Sequence, residues 1–364
     1  MKVLFTANIP SPYRVDFFNE LGKMCDLTVL FEARKAKSRN SAWVAKDAVN
    51  FNSVFLKGIQ IGEAEAICPE IIKYINLFKY DAIIIGMYST PTAMLAIEWM
   101  KLNKIPFYIS SDGGLIKNDS NIKRIIKRHY IASAKGWLST GKVTSEYLSY
   151  YGADSNRIFV YPFSSVKEKE VLKCCIPYDE KKEIRKKLDI EENKVVLSVG
   201  QFIYRKGYDV LLEAARQIDK SIGFYIVGGD VTDEYRILKE KYQLDNVHFV
   251  KFMPKEKLAE YYMAADIFVL PTREDIWGLV VNEAMSYGLP VVTTDKCCAG
   301  LEMIQDGING KIVKAESVQE LRDAILVSLN RLTMPKKALD TASQYTIEKM
   351  ALAHIDFLKK MKEK

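Results

Sequence analysis

Two adjacent basic residues follow a glycine at the end of a predicted strand. After the strand at 195–199 the chain reads Gly200-Gln-Phe-Ile-Tyr-Arg205-Lys206-Gly207, and a helix is predicted from 208 to 216. The first N–H groups and the dipole of a helix favour an anion, and two cations beside them strengthen that preference. The segment is therefore a candidate diphosphate cradle, although an ordinary solvated turn has the same composition.

A second loop, after the predicted strand at 267–270, supplies two carboxylates. It reads Pro271-Thr-Arg-Glu-Asp275-Ile-Trp-Gly278-Leu-Val-Val-Asn-Glu283, so Glu283 lies eight positions after Asp275. On a helix that begins near Gly278, Val280, Val281, Ala284 and Met285 form the predicted core face, and Glu283 lies on another face. The two oxygens of a carboxylate match two adjacent hydroxyl groups, such as those of a ribose. A surface salt bridge for Glu283 and a helix cap for Asp275 remain open.

These loops belong to a repeating pattern of short apolar runs and helix-length amphipathic segments, which is typical of parallel sheets covered by helices. The predicted strands are 3–6, 27–31, 82–86, 107–110, 137–139, 158–161, 195–199, 224–227, 247–250, 267–270 and 291–294. Each strand of the second half except the last is followed by a predicted helix. The segment 167–194 lacks a sustained apolar period and is predicted to be the domain junction. Ligands bind such sheets at the carboxyl ends of the strands, where both loops lie.

Length and composition favour a folded two-domain enzyme. The 364 residues are 48% hydrophobic and 27% charged, which excludes disordered and low-complexity classes. The apolar runs are too short for a membrane span or a signal peptide, so we expect a cytoplasmic protein. The six cysteines and three histidines contain no C-x-x-C and offer no zinc cage, so the cysteines are expected to be reduced thiols.

The net charge of +7 comes from the first half of the chain, where residues 1–162 contain 21 basic and 14 acidic side chains. Residues 121–130 form a predicted basic amphipathic helix. Its cations are Lys123, Arg124, Lys127 and Arg128, and its apolar stripe is Ile122, Ile125, Ile126 and Tyr130. Such a face attracts anionic lipid or a phosphorylated acceptor, but it is also found as a solvated domain surface. No zinc finger or RNP-type motif supports nucleic-acid binding.

In the residues of these loops and in their order, the chain resembles the family 4 retaining glycosyltransferases of the GT-B fold. The similarity is strongest over 195–313, and Trp277-Gly-Leu-Val-Val-Asn-Glu-Ala is similar to a branch found in capsule, exopolysaccharide and lipopolysaccharide synthesis. The resemblance implies an α/β protein with two Rossmann-like parallel-sheet domains that face a cleft. The acceptor-binding domain would comprise 1–165 plus a closing helix at 346–364, and the donor-binding domain 166–345.

The resemblance also implies site residues. In the family's motif of two Glu residues separated by seven positions, Asp275 with its neighbour Glu274 takes the first place and Glu283 the second. Glu283 would then hold the ribose, and Asp275 would face the sugar. The phosphate-binding pair would be Arg205 and Lys206, with Gln201 where an Arg is more usual. Gly200, Trp277 and the backbone N–H groups of Gly278 and Leu279 complete the expected donor site.

The first half resembles the acceptor domain more loosely. Its first loop, Asn8-Ile-Pro-Ser-Pro-Tyr13-Arg14, lies where the family often has a glycine-rich turn near donor and acceptor. Asp112 stands where many relatives place a His near the transferred sugar, and it is either a site residue or a turn residue before two glycines. The closing helix would add a set of lysines to the basic surface: Lys359, Lys360, Lys362 and Lys364.

We therefore expect a hexosyltransferase that moves a sugar from a nucleoside diphosphate sugar, a UDP-sugar being favoured, to a lipid-linked or saccharide acceptor. No D-x-D triplet occurs, so activity without a metal or another cofactor is predicted. The protein would lie in the cytoplasm at the inner face of an anionic membrane and would not bind nucleic acid. A nucleotide-sugar 2-epimerase of the same architecture and a non-catalytic transferase scaffold are the alternatives.

Overall fold

The chain forms two compact units, which the computed structural model describes over residues 1–35, 47–75 and 80–363. One unit comprises Met1–Ser165 and Thr346–Lys364, and the other comprises Val166–Tyr345. Lys364, one of the four lysines expected on the basic surface, lies outside the described residues. The acceptor-binding and donor-binding roles of the two units stay predictions.

The first unit is built on a parallel sheet. Over its described residues, seven strands pair in the order β3-β2-β1-β6-β7-β8-β9, and β4 pairs with β5 in a separate antiparallel hairpin. The strands are β1 (Lys2–Ala7), β2 (Asp26–Phe31), β3 (Asn52–Phe55), β4 (Ile59–Gln60), β5 (Ala66–Ile67), β6 (Ala82–Ile85), β7 (Tyr108–Ser110), β8 (Gly136–Ser139) and β9 (Ile158–Val160). The helices between them are α1 (Pro12–Gly22), α2 (Ile71–Tyr74), α3 (Pro91–Leu102), α4 (Asn121–Ile131) and α5 (Lys142–Tyr150).

The second unit is a smaller parallel sheet with the strand order β12-β11-β10-β13-β14-β15. Its strands are β10 (Lys194–Val199), β11 (Ile222–Gly228), β12 (Val247–Lys251), β13 (Ile267–Leu270), β14 (Val291–Thr294) and β15 (Gly310–Val313). Its helices are α6 (Tyr178–Lys187), α7 (Tyr208–Ala215), α8 (Asp233–Lys241), α9 (Lys255–Ala264), α10 (Leu279–Ser286), α11 (Cys298–Met303), α12 (Val318–Asn330) and α13 (Met334–Ala342). The strands β13 and β14 are buried along their whole length, as continuous apolar runs in a doubly covered sheet require.

In each sheet the chain order of the strands reverses at one pair of neighbours, β1 and β6 in the first unit and β10 and β13 in the second. Loops that follow two such strands emerge side by side at the carboxyl edge, which is where open α/β sheets bind ligands. Residues 200–207 and 271–278 follow β10 and β13. The topology therefore brings the two chemically richest loops of the sequence to one place.

The last helix, α14 (Ile347–Lys362), returns to the first unit. Its predicted apolar face is buried throughout: Ile347, Ala351, Ile355, Leu358 and Met361. The ring of His354 packs against Phe17, and Phe357 packs edge-on against Tyr108. Burial lowers the pKa of His354 to about 4, so the imidazole is neutral within this aromatic core.

The eleven predicted strands are all present, with bounds that differ by at most two residues. Four strands were not predicted from the sequence. The strands β3 and β15 lie at the edges of their sheets, and β4 and β5 are only two residues long, so all four give weak apolar signals. It was wrong that the strand at 291–294 lacks a following helix, because α11 follows it. The predicted junction at 167–194 contains a helix, α6, which is fixed by the buried Arg185. No helix within 1–35, 47–75 and 80–363 is long and apolar enough to cross a membrane.

Candidate donor site and comparisons with known proteins

An ion pair joins the two loops at the strand reversal of the second unit. The Nζ of Lys206 donates to Oδ2 of Asp275 at 2.7 Å, and both side chains are largely buried. The guanidinium of Arg205 lies 3.5 Å from the same oxygen and is more exposed. Arg205, Lys206 and Asp275, which were predicted to act on the diphosphate and the sugar, thus form one cluster with two cations and one carboxylate.

Hydrogen bonds from side chains to main-chain carbonyls also hold these two loops together. Arg205 donates from Nη1 to the carbonyl of Glu274 at 2.7 Å, and Thr272 Oγ1 donates to the carbonyl of Arg205 at 2.9 Å. Gly207 has a φ of 69°, and a Cβ at this position would lie 2.0 Å from the carbonyl oxygen of Pro271. Glycine is therefore required where the turn meets the second loop.

Glu283 lies in the second turn of α10, between core and solvent. The hydroxyl of the buried Tyr262 donates to its Oε2 at 3.2 Å, and the Tyr262 ring stacks on Tyr287. Gly278, with a φ of 99°, precedes the helix, which begins at Leu279. The first N–H groups of a helix have no intrahelical acceptor, so Gly278 and Leu279 place donors beside the ion pair's loop.

The predicted core face of α10 needs one correction. Val280 is only half-buried, and Asn282 is buried in its place. Trp277 explains the difference, because its Nε1 donates to Oδ1 of Asn282 at 2.8 Å and satisfies a polar group inside the protein. Trp277 is thus the buried residue of this loop, and its bond to Asn282 ties the loop to α10.

The loop after β14 completes the edge. Asp275 donates its backbone N–H to the carbonyl of Lys296 and accepts a bond from the N–H of Cys298 at 3.1 Å. Cys297 donates its thiol to the carbonyl of Trp277 at 3.2 Å, and burial raises the pKa of this thiol to about 12. The cysteine is therefore a protonated core group.

In the first unit, Arg14 and Asp112 form a close ion pair, with Arg14 almost fully buried. Burial opposes the charge of Arg14, but the attraction of Asp112, with contributions from Tyr13 and Tyr161, raises the pKa of the guanidinium above its usual value. Tyr13, Arg14 and Asp112 are thus gathered at the carboxyl edge of this sheet. Asp112 is the ionic partner of Arg14 and more than a turn residue.

Helix α4 exposes most of the side chains predicted to meet a membrane. Lys123, Arg124 and Arg128 are exposed, as are Ile122 at 71%, Ile125 at 66% and Ile126 at 43%. Lys127 is different, because its Nζ donates to Asp119 at 2.6 Å and lies over the rings of Tyr151 and Tyr147. The prediction that Lys127 belongs to the free basic face is wrong, since this ammonium is turned toward its own unit.

Residues 180–342, all within the second unit, match the family model of glycosyl transferases group 1. The chain carries a group 1 glycosyltransferase domain. The cluster of Arg205, Lys206 and Asp275 lies inside this domain, as does Glu283.

Curated proteins that are similar to this chain include two named glycosyltransferases. The N,N'-diacetylbacillosaminyl-diphospho-undecaprenol alpha-1,3-N-acetylgalactosaminyltransferase of Campylobacter jejuni is 24% identical over 76% of this chain and 75% of its own. Lipopolysaccharide glucosyltransferase WaaG of Escherichia coli is 27% identical over 62% of this chain and 65% of its own. An uncharacterized 41.2 kDa protein in the cps region of Klebsiella pneumoniae is 32% identical, and the match spans 36% of either chain.

Solved structures show the fold. Anabaena Alr3699/HepE in complex with UDP has a TM-score of 0.78 at 17% identity and covers 99% of this chain and 100% of its own. Sucrose-phosphate synthase from Thermosynechococcus elongatus has a TM-score of 0.77 at 18% identity, with 100% and 99% covered. The predicted fold class, an α/β protein with two parallel-sheet domains of the GT-B type, is confirmed.

Sequence reasoning missed two residues of the site. Tyr262 orients Glu283, and Arg273 contacts the turn that carries Arg205. Arg273 lies within the loop that had drawn attention for its carboxylates, so its position was a usable signal. Tyr262 gave none, because an apolar helix face predicts burial and does not reveal which carboxylate a hydroxyl meets.

We predict that Gly207→Ala distorts the junction of the two loops. A left-handed conformation costs a residue with a Cβ about 1–2 kcal/mol, and the clash with Pro271 adds to it, so unfolding of the variant should begin about 5 °C lower. Thermal unfolding by circular dichroism measures the shift. Gly229→Ala is the matched control, since a Cβ there meets nothing within 4 Å. Equal melting of both variants would contradict the prediction.

Proposed function

We propose that the protein is a retaining glycosyltransferase of family 4 that moves a hexose-type sugar from a nucleoside diphosphate sugar to a saccharide acceptor, in the synthesis of a cell-surface polysaccharide. The observation that carries the proposal is the Lys206–Asp275 ion pair with Arg205 beside it at the strand reversal of the glycosyltransferase domain. This cluster holds one more positive than negative charge, so an anionic ligand would balance it.

The donor would bind along the edge formed by the loops after β10 and β13. Arg205, Lys206 and the amino ends of α7 and α10 would face the diphosphate, and Gly200 leaves room at the start of the first loop. Glu283, oriented by Tyr262, would accept hydrogen bonds from the ribose hydroxyls. Anabaena Alr3699/HepE has this fold and binds UDP, which supports a UDP-sugar as the favoured donor.

The reaction would be driven by stabilisation of the leaving group. The bond between the anomeric carbon and the diphosphate oxygen breaks, and its electron pair leaves with the diphosphate. The acceptor hydroxyl attacks the same face, and its proton passes to the departing phosphate oxygen, so configuration is retained. Cations fixed in advance stabilise the developing charge without reorganisation. Asp275, already oriented by Lys206, would face the sugar, with the main chain of Glu274 and the buried Trp277 supporting its loop.

We predict that one nucleoside diphosphate binds tightly and that Glu283→Ala weakens its binding. Hydrogen bonds to a charged group contribute about 1.5–3 kcal/mol each, so affinity should fall at least about tenfold. Calorimetric titration with UDP, GDP, ADP and CDP measures both effects and names the base. Glu240→Ala, an exposed Glu on α8 of the same unit, is the control. If the wild-type protein bound none of the four, the scaffold alternative would replace this proposal.

The two cations would also take the part that a divalent metal plays in other transferases, so we propose catalysis without metal or other cofactor. Donor turnover should then stay within about twofold after dialysis against EDTA, because Arg205 and Lys206 supply the positive charge. Release of the nucleoside diphosphate identified by calorimetry is the measurement, and EDTA saturated with Mg²⁺ is the control. Complete loss that Mg²⁺ or Mn²⁺ restores would contradict this.

We further propose that the acceptor is lipid-linked and meets the first unit at the cytoplasmic face of a membrane. The Arg14–Asp112 pair, with Tyr13, gathers polar groups at the carboxyl edge of its sheet, where an acceptor hydroxyl would bind. Helix α4 combines exposed isoleucines with exposed cations, the composition of helices that lie in a membrane interface. The Campylobacter relative is named for an undecaprenol-linked substrate, which supports an acceptor of this class.

Each exposed cation near an anionic surface contributes about 1 kcal/mol, so loss of three should weaken binding about 100-fold. We predict that the variant with Lys123, Arg124 and Arg128 changed to Gln fails to float with liposomes that contain anionic lipid. Lys135→Gln, which removes an exposed lysine outside α4, should float like the wild type. Flotation of all three proteins measures this, and absence of wild-type binding would favour a soluble acceptor.

A further inference from the structure

Arg273 joins the two loops of the candidate donor site through its side chain and its backbone N–H. We propose that Arg273 is a positioning residue, which holds the turn at Tyr204–Lys206 so that Arg205 and Lys206 face the donor diphosphate. The inference rests on the proposed donor site and assigns it a residue that the sequence left without a role.

The first set of contacts fixes the turn itself. Arg273 donates from Nη1 to the carbonyl of Tyr204 at 2.8 Å, and its backbone N–H donates to the carbonyl of Arg205 at 2.8 Å. The Cζ of its guanidinium lies over the Tyr204 ring, 3.9 Å from the centroid. Two consecutive carbonyls and one ring of the turn are thus held by a single residue, directly before Lys206.

The second set of contacts fixes α7 relative to the turn. Nη1 and Nη2 of Arg273 donate to the two oxygens of Asp209 at 2.8 and 2.6 Å, and Nε donates to Glu316 at 2.8 Å. The bonds to Asp209 in particular raise the pKa of Arg273 further, so the cation is permanent. Because Asp209 lies in the first turn of α7, its negative charge would weaken anion binding there, and Arg273 neutralises it.

The geometry needs a guanidinium and more than a positive charge. One planar fork reaches a carbonyl and both oxygens of a carboxylate, while a lysine ammonium acts as a point charge on a flexible stem. Arg273→Lys would keep the neutralisation of Asp209 but lose the bidentate pair with Asp209 and the stacking on Tyr204. The two variants Arg273→Gln and Arg273→Lys therefore separate positioning from charge.

The experiment compares two ligands on one protein: the nucleoside diphosphate that the wild-type protein binds among UDP, GDP, ADP and CDP, and the matching monophosphate. Misplaced cations reduce affinity for the terminal phosphate, so Arg273→Gln and Arg273→Lys should each bind the diphosphate at least about tenfold more weakly. The monophosphate affinity should change by less than about twofold. A general loss of structure would weaken both ligands alike. Arg322→Gln, which breaks an ion pair with Asp323 on α12, is the matched control.

The outcomes are distinct. Selective loss of diphosphate affinity in both variants supports positioning. Full affinity in Arg273→Lys would overturn it, because charge alone would then suffice, and equal loss for both ligands would also overturn it. If Arg273→Gln does not fold, the Lys variant decides alone. Failure of the wild-type protein to bind any diphosphate would instead contradict the donor site itself.

Discussion

A lysine and an aspartate 69 residues apart in the sequence meet at 2.7 Å, and the candidate donor site is organised around that contact. The meeting is a consequence of topology, since β10 and β13 become neighbours where the strand order reverses. Without hydrogen bonds between the two loops, some of their carbonyl groups would be unsatisfied, and the cations of Arg205 and Lys206 would repel each other. Thr272, Glu274 and Arg205 exchange bonds between the loops, so the cations are held near one another before any ligand arrives.

The first unit uses the same physical device at its own sheet edge. Arg14 follows β1 and Asp112 follows β7, and their ion pair ties together loops that are separated by one strand. Removal of one partner from a buried pair costs about 3–5 kcal/mol, because the other charge is left uncompensated. The net contribution of a buried ion pair to stability is small, because desolvation of the two charges offsets their attraction. Its main effect here is to fix the positions of the two side chains. In both units an ion pair therefore fixes polar groups at the carboxyl edge of the sheet.

Features of the fold that depend on interactions between residues near in sequence were predicted, and features that depend on interactions between distant residues were missed. Apolar runs such as 267–270 and 291–294 are local signals, and they located those strands to the residue. The position of Glu283 on α10 followed from helical periodicity. Val280 was wrongly predicted in the core face of α10, where Asn282 is buried instead and bonded to the indole of Trp277. Lys127 was predicted on the basic face, but its partner Asp119 belongs to the preceding loop. Periodicity predicts which face of a helix is apolar. It does not predict which polar groups from distant parts of the chain will form hydrogen bonds in the folded protein.

Helix α4 shows how such a polar partner leaves an apolar face unused. A helix of 11 residues is marginal on its own in water, so something must hold it in place. Ser120 caps its first turn, Lys127 is tied to Asp119 and lies over the rings of Tyr147 and Tyr151, and Ile131 is its buried anchor. None of these contacts uses Ile122, Ile125 or Ile126. Anchoring through an ammonium therefore leaves three isoleucines and three cations on the exposed side, where an apolar surface with anionic headgroups would satisfy both.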